Sequence, residues 1–345
     1  MESLIGKTLE ELKSIVSDYG LPSFTAKQIS QWIYAKRCGD INAFSNLSQK
    51  NRQILSEQYQ VGLTKPIGSA HSKDGTIKYL FQTENGPVET VFIPEEERAT
   101  LCVSCQVGCK MNCSFCMTGR MGFHGSLSST EILNQILSIP ESERLTNIVF
   151  MGMGEPMDNI DEVLRSVEIL TSDYGLAWSP KRITVSTVGL IPGLRRLLDE
   201  SQCHVAVSLH NPIAEERLEL MPVQKAYPIT DVIALLRQYD FSHQRRISFE
   251  YTLFAGMNDT SRHASALLRL LRGLECRINL IRFHAIPDSA LRPTDLRSME
   301  RFRDYLNDNG LITTIRRSRG QDIEAACGLL STKERERLSG KDAIL

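Results

Sequence analysis

Cys109-Lys-Met-Asn-Cys113-Ser-Phe-Cys116 is the stretch on which the reading of this chain turns. It places three thiols on one tight loop, just after the short apolar run Leu101–Val103. Soft sulfur ligands suit iron–sulfur clusters, and three from one loop can hold three irons of a cubane. The fourth iron then lacks a protein ligand and is open to a small chelating molecule. A structural zinc ion competes with this reading, but zinc wants four ligands, usually as two separated pairs. No CxxC or HxxxH pair follows downstream. Buried, unliganded cysteines are the third possibility.

Working outward, short apolar runs alternate with amphipathic stretches. The runs are Leu101–Val103, Asn147–Met151, Arg182–Ser186, His204–Ser208, Ser248–Phe254 and Arg277–Phe283. Between them Glu131–Ile139, Ile160–Leu170 and Ala264–Leu271 carry helical periodicity, and Ser128 with Glu131 forms a capping box. Six such units predict an α/β fold: a parallel sheet curled into a partial (β/α)6 TIM-like barrel, with function at the strand C-terminal ends. The run Asn147–Met151 leads into Gly152-Met-Gly154-Glu155-Pro156. Glycines at a strand end let backbone approach a ligand, and a carboxylate there can pair with an ammonium group.

Upstream, the first 65 residues read as a small helical module. Thr8 with Glu11 and Thr25 with Gln28 look like capping boxes, and a third helix is expected over Gln49–Tyr59. Thr76–Gln82 and Val88–Ile93 read as strands joined at Asn85-Gly86, a β-hairpin extension over 66–94. The core is expected to span 95–331, with a C-terminal tail over 332–345.

The chain has 345 residues, 41% of them hydrophobic and 23% charged, the make-up of a soluble globular protein. Its net charge of −1 announces no nucleic-acid partner, although Lys36-Arg37, Lys181-Arg182, Arg245-Arg246 and Arg316-Arg317 are local basic pairs. Without a signal peptide or a membrane-length apolar run, a cytoplasmic location away from membranes is expected. Five of the nine cysteines crowd between Cys102 and Cys116, which speaks for metal or redox chemistry over disulfide staples.

The C-x3-C-x2-C loop with an aromatic before its last cysteine resembles the signature of radical S-adenosylmethionine enzymes. Further stretches narrow the likeness: Val88-Glu89-Thr90-Val91, Arg98-Ala-Thr-Leu-Cys102, Met151-Gly-Met-Gly-Glu155-Pro, Ser208-Leu-His210, Leu220-Met-Pro222 and Asp322-Ile-Glu-Ala-Ala-Cys327-Gly328. Over nearly its whole length the chain resembles the RlmN family of RNA methyltransferases. The resemblance implies a 4Fe–4S cluster on Cys109, Cys113 and Cys116, with S-adenosylmethionine on its open iron. Gly154, Glu155, Ser186, Ser208, Leu209 and His210 match nucleoside ligands, and Phe115 would lie near the adenine. His284 stands where the family often has Asn; its ring can still donate or accept a hydrogen bond.

The implied reaction is methylation of C2 of adenine in 23S rRNA and in tRNA. Cys327 would carry the methyl group, Cys102 would resolve the RNA adduct through a transient disulfide, and Glu89 would take the C2 proton. A one-electron reductant such as flavodoxin or ferredoxin is expected, and a monomer. C8 methylation, as in the Cfr-type relatives, is the nearest alternative; a non-catalytic ribosome-associated iron–sulfur protein is the distant one. Cys105, where the family commonly has serine, reads as a small packing residue, as do Cys38, Cys203 and Cys276.

Overall fold

The computed structural model describes residues 1–242 and 245–330, so the tail expected at 332–345 lies outside the described residues. Helices α1 (Leu9–Asp18), α2 (Phe24–Ser30) and α3 (Gln49–Ser56) open the chain. The Thr8–Glu11 capping box forms on both sides and starts α1, a device worth about 1 kcal/mol. The second expected box does not form. Helix α2 begins one residue before Thr25, whose N–H bonds to the Pro22 carbonyl, so Thr25 is buried in the first turn. The helical segment packs its apolar face into the main core: Leu4, Ile5, Leu12 and Ile29 belong to the same buried cluster as Ile148 and Val185. Thr130 Oγ1 donates to the Ile5 carbonyl at 2.7 Å, fixing that contact.

One ten-stranded sheet carries the rest: β1 (Gly68–His71), β2 (Ile77–Thr83), β3 (Gly86–Pro94), β4 (Ala99–Cys102), β5 (Asn147–Phe150), β6 (Ile183–Thr187), β7 (His204–Ser208), β8 (Ile247–Leu253), β9 (Arg277–Arg282) and β10 (Thr313–Ile315). Spatial order follows chain order from β1 to β10 without closing. Strands β4 to β10 are parallel, while β1 to β4 are antiparallel to their neighbours. The parallel part therefore has a seventh strand, β10, beyond the six expected. Its three residues are too short to show alternation. The hairpin continues the same sheet, since Val91 pairs with Cys102 across β3 and β4. Its turn also falls one residue earlier than expected: Thr83 pairs with Gly86, leaving Glu84 and Asn85 as the loop. The Glu84 N–H bonds to Glu131 Oε1 at 2.8 Å, a tertiary contact that local turn chemistry cannot reveal.

Between the cysteine loop and the sheet end lie the short α4 (Met117–Arg120), then α5 (Ser129–Leu137), α6 (Ile160–Thr171), α7 (Ile191–Glu200), α8 (Ala214–Leu220), α9 (Ile229–Leu236), α10 (Ser261–Leu270) and α11 (Leu296–Asp308). In α6, Val163, Val167 and Leu170 are buried, each contributing about 1.5–3 kcal/mol. The strands split their two faces. Ile148, Phe150, Val185, Val205, Val207, Phe249, Ile278 and Leu280 are buried in the apolar core. The alternate residues, among them Thr100, Cys102, Thr184, Ser186, Ser208, Glu250 and Asn279, form the polar set facing into the curl.

Candidate active site

The cysteine loop hangs between β4 and α4 and is pinned on several sides. The Cys109 N–H bonds to the Gly122 carbonyl at 2.9 Å, the Ser114 N–H to Leu220 at 3.0 Å, and the Met117 N–H to Gly328 at 2.8 Å. Gly108, at φ +73°, has no room for a side chain: a Cβ would fall 1.8 Å from the Gly122 carbonyl oxygen. Burial pushes the Cys109 thiol up to about 12, with Cys116 and Glu155 adding to the rise. Burial raises Cys113 also, then Cys116 and Cys109. These thiols stand close enough to oppose one another's ionisation, so a bound cation is what would make them thiolates. Among the described residues no three ligating side chains converge as a single metal ion requires. A soft, three-thiol set on one loop fits an iron–sulfur cubane better than a mononuclear site.

Beside the loop, β5 ends in the glycine turn. Gly154 sits at φ +101° with its missing Cβ only 2.5 Å from Gln106 Cβ, so only glycine fits. Gln106 in turn accepts the Glu155 N–H at 2.9 Å and donates to Asp158 at 2.8 Å. The Glu155 side chain is 3% exposed. Thr187 Oγ1 donates to it at 2.6 Å, the Val188 N–H at 2.9 Å and the Met157 N–H at 3.1 Å. Burial nevertheless pushes its carboxyl up to about 7, against those three bonds.

At the end of β7, His210 takes the left-handed conformation, φ +53°. Asn258 Nδ2 holds its carbonyl at 2.6 Å, and the Thr252 N–H donates to Nδ1 at 2.9 Å. Burial, and then Arg217, lower His210 to about 3, so the ring is neutral with its proton on Nε2. Phe115 meets it edge-on at 4.7 Å between centroids. Ser186 and Ser208 are half-buried on the inner face. Leu209 brings no free polar donor: its side chain is in the core, its N–H bonds to Glu250 and its carbonyl accepts from Arg217.

Arg217 was not foreseen, because a charged residue on an amphipathic helix reads as solvated. It is fully buried. Its guanidinium donates to the carbonyls of Leu209 (3.0 Å), Ser208 (3.0 Å) and Val188 (3.1 Å) and to Gln224 Oε1 (2.7 Å). It thereby ties the β6 and β7 ends together beside Cys113.

Glu89, Cys102 and Cys327 come from three distant stretches. Cys102 is buried and Cys327 exposed, and both are free thiols. Burial, then Cys327, push Cys102 up to about 12, while the Arg316 charge and the Met151 backbone act the other way. Register puts Val91, Glu89 and Lys78 on the same sheet face as Cys102. Glu89 is wholly buried and pairs with Lys78 Nζ at 3.0 Å. His284 follows β9, next to Phe283, which packs on Phe254. It bonds Ser318 at 3.0 Å and lines, with Cys327, a cavity of about 830 Å³. Cys105 packs in the core and its carbonyl accepts from Leu127 and Asn159.

A curled parallel sheet with a three-cysteine loop at its strand C-terminal ends defines the radical S-adenosylmethionine class. The family model "Radical SAM superfamily" matches residues 103–268, and "Ribosomal RNA large subunit methyltransferase N-terminal domain" matches residues 3–61. A probable dual-specificity RNA methyltransferase RlmN of Bacteroides thetaiotaomicron is 58% identical over 334 residues, covering 96% of this chain and 97% of the relative. The dual-specificity RNA methyltransferase RlmN of Marinobacter nauticus is 38% identical, covering 97% and 94%. A crystal structure of a radical SAM methyltransferase from Sphaerobacter thermophilus superposes with a TM-score of 0.90 at 40% identity, covering 96% of this chain and 99% of that one. The chain belongs to the RlmN family. It is an enzyme of the radical S-adenosylmethionine superfamily, and its cofactors are a 4Fe–4S cluster and S-adenosylmethionine.

Proposed function

We propose that this enzyme methylates C2 of adenine in 23S rRNA and in tRNA, with Cys327 as methyl carrier, Cys102 as resolving thiol and Glu89 as proton acceptor. C2 of adenine is electron-poor and has no lone pair, so it cannot attack the sulfonium methyl directly. A cysteine thiolate can. Cys109, Cys113 and Cys116 would hold the cluster; Glu155 would pair with the amino group of S-adenosylmethionine, while Ser186, Ser208 and the neutral His210 orient its nucleoside beside Phe115. When bound, the cluster supplies the electron that cleaves S-adenosylmethionine to a 5′-deoxyadenosyl radical.

Cys327 first takes a methyl group from one S-adenosylmethionine. After hydrogen abstraction, its methylene carbon adds to C2 and tethers the RNA. Glu89 would receive the C2 proton, and the adduct's one unpaired electron would go back to the cluster. Cys102 would then attack the Cys327 sulfur as a thiolate, breaking the S–CH2 bond; the released carbon would take up a proton to become the methyl group, and a disulfide would be left to be reduced. What supports the reading is one arrangement. Two non-ligating cysteines from opposite ends of the core lie in electrostatic reach of each other and of Arg316, beside a cavity that reaches an exposed thiol.

We place the enzyme in the cytoplasm, as a monomer served by a one-electron reductant such as flavodoxin or ferredoxin. Among the described residues no helix is long and apolar enough to cross a membrane. The test is reconstitution with iron and sulfide, then digestion and mass analysis of RNA from a methylation-deficient host. 2-Methyladenosine together with 5′-deoxyadenosine is expected. A product that is exclusively 8-methyladenosine would overturn the assignment of C2.

A further inference from the structure

The cavity that reaches Cys327 runs inside the curl of the sheet, and among the polar groups that line it two stand out by their unmet hydrogen-bonding capacity. One is Glu250 on β8, which is 4% exposed. Its Oε1 accepts from Asn279 Nδ2 at 2.8 Å and from Ser248 Oγ at 3.4 Å. Its Oε2 is buried and has no hydrogen-bond partner. A buried acceptor left without a donor is costly, so its partner is to be sought in whatever fills the cavity.

The other is Arg316, directly after β10, whose backbone N–H is tied to the Leu280 carbonyl at 2.8 Å. Its Nη1 meets only the Met151 thioether, at 3.4 Å, a weak acceptor. The guanidinium is in electrostatic reach of Cys327, Glu250 and Cys102. Among the described residues it forms no ion pair with Glu250, and the two line the same cavity. An acceptor and a donor thus face a common space.

Between these two groups a phosphate would meet the Glu250 carboxylate and an ammonium group the Arg316 guanidinium, while the further cations of the lining, among them Arg98, Arg277, Arg317 and Arg319, suit the phosphates that flank a base. A neutral heterocycle that presents an amino group and ring nitrogens satisfies both. Adenine does so, whereas guanine would turn its O6 acceptor toward the carboxylate. We propose that Glu250 and Arg316 read the substrate base. Glu250 Oε2 accepts from the exocyclic amino group, and Arg316 donates to a ring nitrogen beside C2, which leaves C2 toward Cys327. The inference rests on the adenine reading above and deepens it: these are specificity residues within the substrate pocket.

The test is equilibrium binding of an anticodon stem-loop to the cluster-loaded protein, without methyl donor. The target position carries adenosine, purine riboside (no amino group) or inosine (oxygen in its place). Wild-type protein is expected to prefer adenosine over purine riboside by about 10- to 100-fold, the span of a hydrogen bond to a charged group. Glu250→Met should erase that preference. In Glu250→Gln, Asn279 keeps Oε1 as the acceptor, so Nε2 faces the cavity and the preference should move toward inosine. For Arg316, wild type should bind a 1-deaza- or a 3-deazaadenosine loop more weakly than adenosine, and Arg316→Met should not distinguish them.

Equal wild-type affinity for adenosine and purine riboside would overturn the proposal. So would a Glu250→Met or Glu250→Gln protein, shown folded by its melting curve, that weakens every loop by the same factor. If the Glu250-dependent preference is present but the product is not 2-methyladenosine, the C2 assignment fails while the base pocket stands. If 2-methyladenosine forms but the preference ignores Glu250, this inference fails alone.

Discussion

Replacing Glu155 by glutamine probes what it costs the fold to bury this carboxylate. In the metal-free, reduced protein burial holds this carboxyl near 7, against an ordinary value of 4.5. A carboxyl raised in the folded state stabilises the fold while it is protonated, below its unfolded value. That stability is lost as pH rises through the folded value. At about 1.4 kcal/mol per unit, the wild type should lose about 3 kcal/mol between the two values and change little above them. The glutamine of the Glu155→Gln variant does not titrate. Its amide also turns a donor toward the Val188 N–H, which adds a constant penalty and leaves the slope unaffected.

The quantity to follow is therefore the stability of Glu155→Gln minus that of wild type, from urea unfolding at pH 5, 6, 7 and 8. It should rise by about 2 kcal/mol from pH 5 to 7 and then level off. The neighbouring thiol of Cys109, near 12, and the His210 ring, near 3, titrate outside this window. A difference that stays flat from pH 5 to 8 would refute the claim that desolvation dominates at Glu155.

Cys327→Ala should form no methylated RNA, and Cys102→Ala should accumulate a covalent protein–RNA adduct on denaturing gels; normal turnover by either variant removes its assigned role. Lys78→Met strips the buried Glu89 of its 3.0 Å cation and should cost about 3–5 kcal/mol by urea unfolding. A loss under about 1 kcal/mol would mean that the pair contributes little. Gly154→Ala forces a Cβ to 2.5 Å from Gln106 at φ +101°, and calorimetry should find S-adenosylmethionine binding at least tenfold weaker. Unchanged affinity would show that the turn can yield.

Much of this architecture is open to reading in the residues alone. The six apolar runs became β4 to β9 within a residue or two, because a strand buried on a sheet's interior announces itself in consecutive side chains. The capping boxes at Thr8 and Ser128 were legible since they are local hydrogen bonds. Thr25 shows the limit of that logic: the same residue types lie inside the first turn of a helix that begins one residue earlier. The strand β10 and the true hairpin loop were lost for like reasons, the one too short and the other set by Glu131.

Local spacing by itself determined the cysteine loop, the glycine–glutamate turn and the strand–helix alternation, because each is written in residues a few positions apart. What only the tertiary structure decided are the long-range electrostatic facts: Glu89 buried against Lys78, Arg217 buried on backbone carbonyls, and Arg316 near Cys102, Cys327 and Glu250. Burial changes the energy of a charge by more than its sequence neighbours do. It exists only once strands remote in the chain lie side by side.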